Sequence, residues 1–437
     1  MNFKEGLIKA RSHIIFILGL ICAVFIIAKL EKWNVEKLLR ESVEFKPSPD
    51  IPKAVAEPLT EQELRWAKIA WRYFQNNFHP NTGMVNSVDK YPATTMWDTA
   101  SYLMALISAE RIKLISKREF DRRLSLILKT LSRLPLFEGK LPNKSYNTIT
   151  TQMVDYNNKR TERGIGWSAI DICRLLVPFN IIVWNFPEHT EEIKAIIKRW
   201  DFNAMVKDGQ LYGAIVDKTG KTVYVQEGRL GYEEYAAKAL TLMGYDVSKA
   251  LRYFDYLAFV DIYGIKIPYD IRAPKEYEAH TYVLSEPYIL DGIEFGWDIV
   301  SREFAYRVYK AQEERWKHTG IWTAVSEDNI DQAPYFVYNT VYSDGKAWNC
   351  ITQEGKDASR FKSISTKAVF GWYVLYRTLY TKELIREIQT LYEPDRGWYS
   401  GRYEITKLPN KAITCNTNAI ILESLCFKKF GRLVSLY

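Results

Sequence analysis

The sequence has little of what disulfide, metal or nucleic-acid chemistry requires. Its five cysteines, Cys22, Cys173, Cys350, Cys415 and Cys426, include no Cys-x-x-Cys pair and no regular spacing, which argues against a disulfide scaffold and a zinc site. The five histidines (His13, His79, His189, His280, His318) are scattered, so no metal centre and no cofactor are expected. Lys and Arg outnumber Asp and Glu by 60 to 52, yet the two signs are interspersed without a run of either; a nucleic-acid partner is therefore not expected. What is present is a globular composition, 47% hydrophobic and 26% charged over 437 residues. Disorder and collagen-like fibres are excluded, and the chain is long enough to bury a large core.

Aromatic residues are abundant: 13 Trp, 29 Tyr and 20 Phe. On that scale they either fill a core or line a surface that stacks on flat apolar ligand faces. Residues 14–28 (IIFILGLICAVFIIA) are uncharged and nearly all aliphatic, and Lys29-Leu30 extend them if the lysine snorkels. No small-x-small cleavage site follows, so an uncleaved signal anchor over 14–30 is expected in preference to a removed leader or a buried helix. Lysine and arginine flank the run on both sides and leave its orientation poorly determined, but long domains translocate regardless; the bulk is expected outside the cytoplasm, on the periplasmic side. The expected organisation is a flank at 1–13, the anchor, a linker at 31–59 with Pro47, Pro49, Pro52 and Pro58, and one domain at 60–437.

Within that domain the pattern is helical, with few alternating β-branched runs. Apolar helices begin near Trp97, Trp167, Tyr232, Pro287, Thr366 and Asn416, alternating with amphipathic ones near 61–78, 117–134, 191–200, 247–256, 301–316 and 381–392. A helix apolar on every face must be surrounded, whereas one with a polar stripe can face water. Six of each in alternation predicts an all-α (α/α)6 barrel, an inner ring wrapped by an outer ring.

In such a barrel the inner helices start together at one rim, and the loops leading into them carry acids: Asp98 in TMWDTAS, Glu227, Glu233 and Glu234 in QEGRLGYEEYAAK, Glu286 in SEPYILDG, and Glu327 and Asp328 in TAVSEDNID. Two carboxyl groups across a groove are the minimum for glycoside hydrolysis, one protonating the leaving oxygen and the other acting as base or nucleophile. Taken singly, each acid also has a structural reading in capping and the helix macrodipole, and Glu234 is spaced to pair with Lys238. Glu286, beside Pro287 and Tyr288, ranks first as general acid, with Glu233 or Glu234 opposite it and Asp98 in reserve. The long connection from His318 to Ser363 is rich in Trp and Tyr and is expected to wall or cover the cleft. Sugar subsites are expected from Trp97, Arg229, Tyr232, Tyr288, Trp322, Glu327, Asp328, Tyr335, Trp348, Trp398 and Arg402.

The strings WDTASYL, GWSAIDICRLL, EGRLGYEEYAAKAL, SEPYILDGIEFGWD, TAVSEDNIDQAPYFVYNTVY, STKAVFGWYVLY, GWYSGRYE and NTNAIILESL resemble the bacterial glucoamylase-like domain of unknown function found in exopolysaccharide and cell-envelope loci. The resemblance spans about 60–431. It implies kinship with (α/α)6 glycoside hydrolases and with domains acting on β-1,2-glucans, and hence a polysaccharide substrate, possible exopolysaccharide synthesis or secretion machinery as partner, and no established catalytic set. GYEEY is similar to acid-bearing inner-helix starts of related glucanases, which raises Glu233 and Glu234 without choosing between them. Two other readings stay open, a non-catalytic binding or scaffold subunit of a secretion system and a polysaccharide lyase.

Overall fold

The computed structural model describes residues 17–25, 29, 46–272 and 280–436. Two units are distinguished, Met1–Pro47 and Ser48–Tyr437. In the first, residues 17–25 are helical with exposed apolar side chains; most of the rest of the expected anchor at 14–30, and the flank at 1–13, lie outside the described residues. Among the described residues no single helix is long and apolar enough to cross a membrane.

The second unit is built on six inner elements: α2 (Met96–Arg111), α4 (Ala169–Asn185), α6 (Tyr232–Thr241), α7 (Glu286–Leu290, continued by a π-turn over Asp291–Phe295), α9 (Thr366–Leu375) and α11 (Cys415–Phe430). Each packs against the next, and α11 closes on α2. Their residues are buried on nearly all faces, as from Met96 to Arg111 in α2, because apolar helices gain only when enclosed. Around them lie α1 (Glu61–Asn76), α3 (Lys117–Leu131), α5 (Thr190–Ile197), α8 (Ile299–Thr319) and α10 (Leu379–Ile388). These bury one stripe only. In α1 it is Trp66, Ala67, Ala70, Trp71 and Phe74, the i, i+4 spacing of an amphipathic helix, and a Thr60–Glu63 capping box fixes its start.

The helix expected near 247–256 is absent. Its donors are diverted: Lys249 N and Ala250 N donate to the carbonyl of Gly209 at 3.1 and 2.9 Å, so the turn is not propagated, and the chain runs into an antiparallel hairpin, Leu257–Ile262 with Ile265–Asp270, which packs on α8. The fold is also less purely helical than expected. Short antiparallel strands occupy the connections, such as Gln210–Val216 with Thr222–Gln226 and Gly397–Tyr403 with Pro409–Ile413. Strands of two to seven residues are too short to show a period of two against a helical background. The chain before α1 lies along the barrel: Ala54 N donates to Leu375 O at 2.9 Å and Glu57 N to Lys428 O at 2.8 Å.

At the centre of the ring Arg174 of α4 is fully enclosed. It donates to Glu294 Oε1 at 2.8 Å, to Tyr235 Oη at 2.7 Å, to Glu423 Oε1 at 3.2 Å and to Ser101 Oγ at 3.5 Å. Burial drives the Glu423 carboxyl far above its ordinary range. Breaking a buried pair from one side leaves an uncompensated charge. Arg174→Met is expected to cost about 3–5 kcal/mol, read as a lower denaturation midpoint with an unchanged slope.

Candidate active site

The first turns of all six inner elements contribute to one cavity of about 370 Å³. Trp97 and Asp98 come from α2, Ile170 and Asp171 from α4, Tyr232 from α6, Glu286 from α7, Lys367 from α9 and Asn416 from α11, with Glu227, Glu327, Asp328, Phe336 and Tyr338 from the loops. Convergence follows from topology, since consecutive inner elements are joined through the outer layer and so all start at the same end.

Local sequence aims each group. Before α4, Gly166 adopts φ +117°, and a Cβ there would overlap the carbonyl of Ala214; only glycine lets the strand Gln210–Val216 approach so closely. Ser168 then caps α4, accepting from Asp171 N at 3.1 Å, while its hydroxyl donates to Asp171 Oδ1 at 3.0 Å. Glu227, at the end of the hairpin, accepts from Ala169 N. Burial, with the Glu227 charge next, pushes Asp171 up to about 7. Neither carboxyl has an ion-pair partner among the described residues.

By ring order α9 lies opposite α4. There Lys367 contacts Glu286 and sits 3.7 Å from Asp328. The approach depends on Gly371, one turn further along α9, where a Cβ would overlap Ile289 of α7. Glu286 is 1% exposed, and its other oxygen accepts from Asn416 Nδ2 at 2.9 Å. Burial outweighs Lys367 and pushes Asp328 up to about 8; burial also raises Glu327, whose carboxylate accepts from the Tyr232 hydroxyl, and Asp98.

The floor and wall are aromatic. Trp97 rests over Arg174 at 4.7 Å and meets Tyr232 edge-on at 5.5 Å. Tyr338 stacks on Tyr282 with centroids 3.8 Å apart. Both tyrosines are brought in by the long connection and its partner strands: Glu327–Asn329 pairs with Phe336–Asn339, and Tyr282–Val283 with Tyr342–Ser343. That segment has its own apolar cluster of Ile330, Val337, Cys350, Ala358, Phe361 and Tyr403, which is why it is ordered.

Of the residues expected from sequence, Trp97, Asp98, Arg229, Tyr232, Glu286, Glu327 and Asp328 line this cavity. Others are placed elsewhere. Glu233 is ion-paired with Arg272 at 2.6 Å, and burial still pushes it up to about 7. Glu234 accepts from Gly231 N at 2.7 Å as the cap of α6, with burial pushing it up to about 8. Lys238, spaced for Glu234, pairs instead with Asp291 and Asp298, each at 2.7 Å. Tyr288 is buried, and Trp398 is fully enclosed between Trp66 and Phe370. Trp322 stacks on Trp316, Trp348 lies over Arg315, Arg402 pairs with Glu387, and Tyr335 is exposed. Helix starts alone could not separate cavity from core, because adjacent residues of one first turn point in different directions. Asp171, Lys367, Asn416 and Tyr338 join the site without having been singled out. Asp171 stands in a Ser-x-x-Asp capping pattern, and Lys367 is a cation in a first turn, where the macrodipole disfavours it.

The family described as "Protein of unknown function (DUF3131)" matches residues 65–431. No curated protein matches the chain. Solved structures share its architecture at low identity. The endo-β-1,2-glucanase of Chitinophaga pinensis, in complex with sophorotriose and glucose, has 14% identity and a TM-score of 0.60 over 87% of this chain and 95% of its own. That of Talaromyces funiculosus, in complex with sophorose, has 11% identity and a TM-score of 0.59 over 86% and 85%. The glucoamylase of Saccharomycopsis fibuligera has 13% identity and a TM-score of 0.50 over 90% and 99%. At these identities the likeness establishes the fold, a glucoamylase-like (α/α)6 barrel.

Asp171 makes the cleft pH-sensitive. Its carboxyl is raised in the folded state, so its contribution to stability is full below the unfolded value near 4 and is lost as pH rises through about 7. Between about pH 4 and pH 8 the wild type is expected to lose on the order of 2–4 kcal/mol relative to Asp171→Asn, measured by denaturant unfolding at both values.

Proposed function

We propose that this chain, which belongs to the DUF3131 family, is a glycoside hydrolase or transglycosylase acting on a glucan of the bacterial envelope or a secreted polysaccharide. The observation that carries the reading is the pair of carboxyl walls in one aromatic-lined cleft: Asp171 and Glu227 on one side, and on the other Glu286 between Lys367 and Asn416. Carboxyl groups on two walls of one cleft, one to serve as acid and the other as base or nucleophile, are what glycosidic cleavage needs.

Asp171, pushed up to about 7 by burial beside Glu227, gives its proton to the glycosidic oxygen as the C1–O bond breaks. Glu286 either takes a proton from the water that attacks C1, or attacks C1 itself to form a glycosyl ester, which water deprotonated by Asp171 then cleaves to free the sugar and Glu286. This reverses the general-acid role that its helix-start position had favoured. Trp97 and Tyr338 offer faces for sugar C–H groups, while Arg229 and Asn329 offer polar partners at the cavity wall. The glucanase neighbours make β-1,2-glucan the first substrate to try. The apolar run at 14–30 supports anchoring to a membrane with the barrel on the periplasmic side, near exopolysaccharide machinery.

The test is incubation of the full chain with a panel of α- and β-glucans and acidic exopolysaccharides, with mass spectrometry of released oligosaccharides. On a cleaved substrate, Glu286→Gln and an Asp171→Asn/Glu227→Gln double variant are each expected to lower kcat by about 10²–10⁴ with little change in KM. Wild-type rates in either variant would remove the assignment. Because the donor must be protonated, kcat/KM is expected to fall as pH rises through about 7.

A further inference from the structure

Lys367 is hard to explain as part of the scaffold. It stands second in α9, where the helix dipole repels a cation, and it is 4% exposed, so its ammonium gives up water as well. Its neighbours are all acidic or neutral. Glu286 contacts it from α7, Asp328 lies at 3.7 Å and Glu327 stands beside it from the strand Glu327–Asn329, while Asn416 of α11 occupies the far oxygen of Glu286. Asp98 of α2 and Glu423 of α11 also face Glu286, and both act against its charge. The other cation that faces it, Arg174 of α4, is already engaged by Glu294 and Glu423. Lys367 is thus the cation in contact with Glu286, which has four other acids around it.

We infer that Lys367 is the positioning residue of the cleft, holding Glu286 ionised and fixing the direction in which it faces the substrate. The inference rests on the reading of Glu286 as base or nucleophile. Geometry supports the second half: Lys367 and Gly371 lie on one face of α9, and the Gly371–Ile289 approach sets α7 and α9 at the distance that brings ammonium and carboxylate together. With Lys367 on one oxygen and Asn416 on the other, the Glu286 carboxylate cannot rotate without losing a charge-assisted bond.

The experiment uses the full chain labelled with ¹³C at glutamate side chains, Glu286 being identified by difference against Glu286→Gln. In Lys367→Met the Glu286 signal is expected to titrate at least about one pH unit higher than in the wild type, and Lys367→Arg is expected to restore it. On a cleaved substrate the acidic limb of kcat/KM moves by the same amount in Lys367→Met, with KM within about threefold. Lys367→Gln provides a second route if Lys367→Met does not fold: it keeps a polar group beside Glu286 but removes the charge, and is expected to move the titration upward as Lys367→Met does. A Glu286 titration unmoved in Lys367→Met, or in Lys367→Gln where the former does not fold, would overturn the inference, as would a folded Lys367→Arg that behaves like Lys367→Met. Since the carboxyl signal is read without turnover, a chain that cleaves no glucan yet shows the shift keeps this inference and loses only the hydrolytic reading.

Discussion

Arg174 is held at the centre of a ring whose members are otherwise joined by apolar contact. Apolar packing is non-directional and tolerates helices sliding past one another, whereas a guanidinium presents its donors in a fixed fork. Ser101, Tyr235, Glu294 and Glu423 reach it from four other elements of the inner ring, so the relative heights of five of the six are set at one point. Trp97 lies over the same guanidinium, so the floor of the cleft is positioned by the group that registers the barrel. The π-turn after α7 brings Glu294 to this centre, and π-turns inside helices are frequent near functional sites.

The cleft inherits its electrostatics from that registry. Six first turns meeting at one end bring together partial positive charges, which favour carboxylates, and burial, which disfavours them. The outcome differs from wall to wall. Asp171 and Glu227 have no counter-ion among the described residues, and Asp171 is raised. Glu286 meets the Lys367 ammonium and accepts from the Asn416 amide. Carboxyls of one chemistry are thereby given unlike surroundings, the general basis for assigning acid and base.

Much of this was legible in the sequence, and the failures have physical causes. Inner and outer helices were separable because enclosure and half-exposure leave different apolar patterns, and all six inner starts fall where the apolar runs begin. The sixth outer helix was misread because 247–256 has helical composition, yet its backbone donors find the carbonyl of Gly209, a long-range partner no local pattern reveals. Asp98 and Glu286 were found because acids in first turns are visible, and Glu327 and Asp328 because they stand in a long connection dense in aromatic and acidic residues. Glu233 and Glu234 were favoured for the first of these reasons, but Arg272 and the Gly231 amide had taken them. Trp398 looked like a sugar platform, and it is core.

The sequence by itself determined the class of fold and the end of the barrel at which acids gather, because both depend on hydrophobic period and on residue type at helix starts, which are local properties. Only the tertiary structure decided which acids share the cavity and which residues stand against them. Those contacts come from groups distant in the chain, as Lys367 and Asn416 meet Glu286, and no spacing along the sequence encodes a distance across a ring.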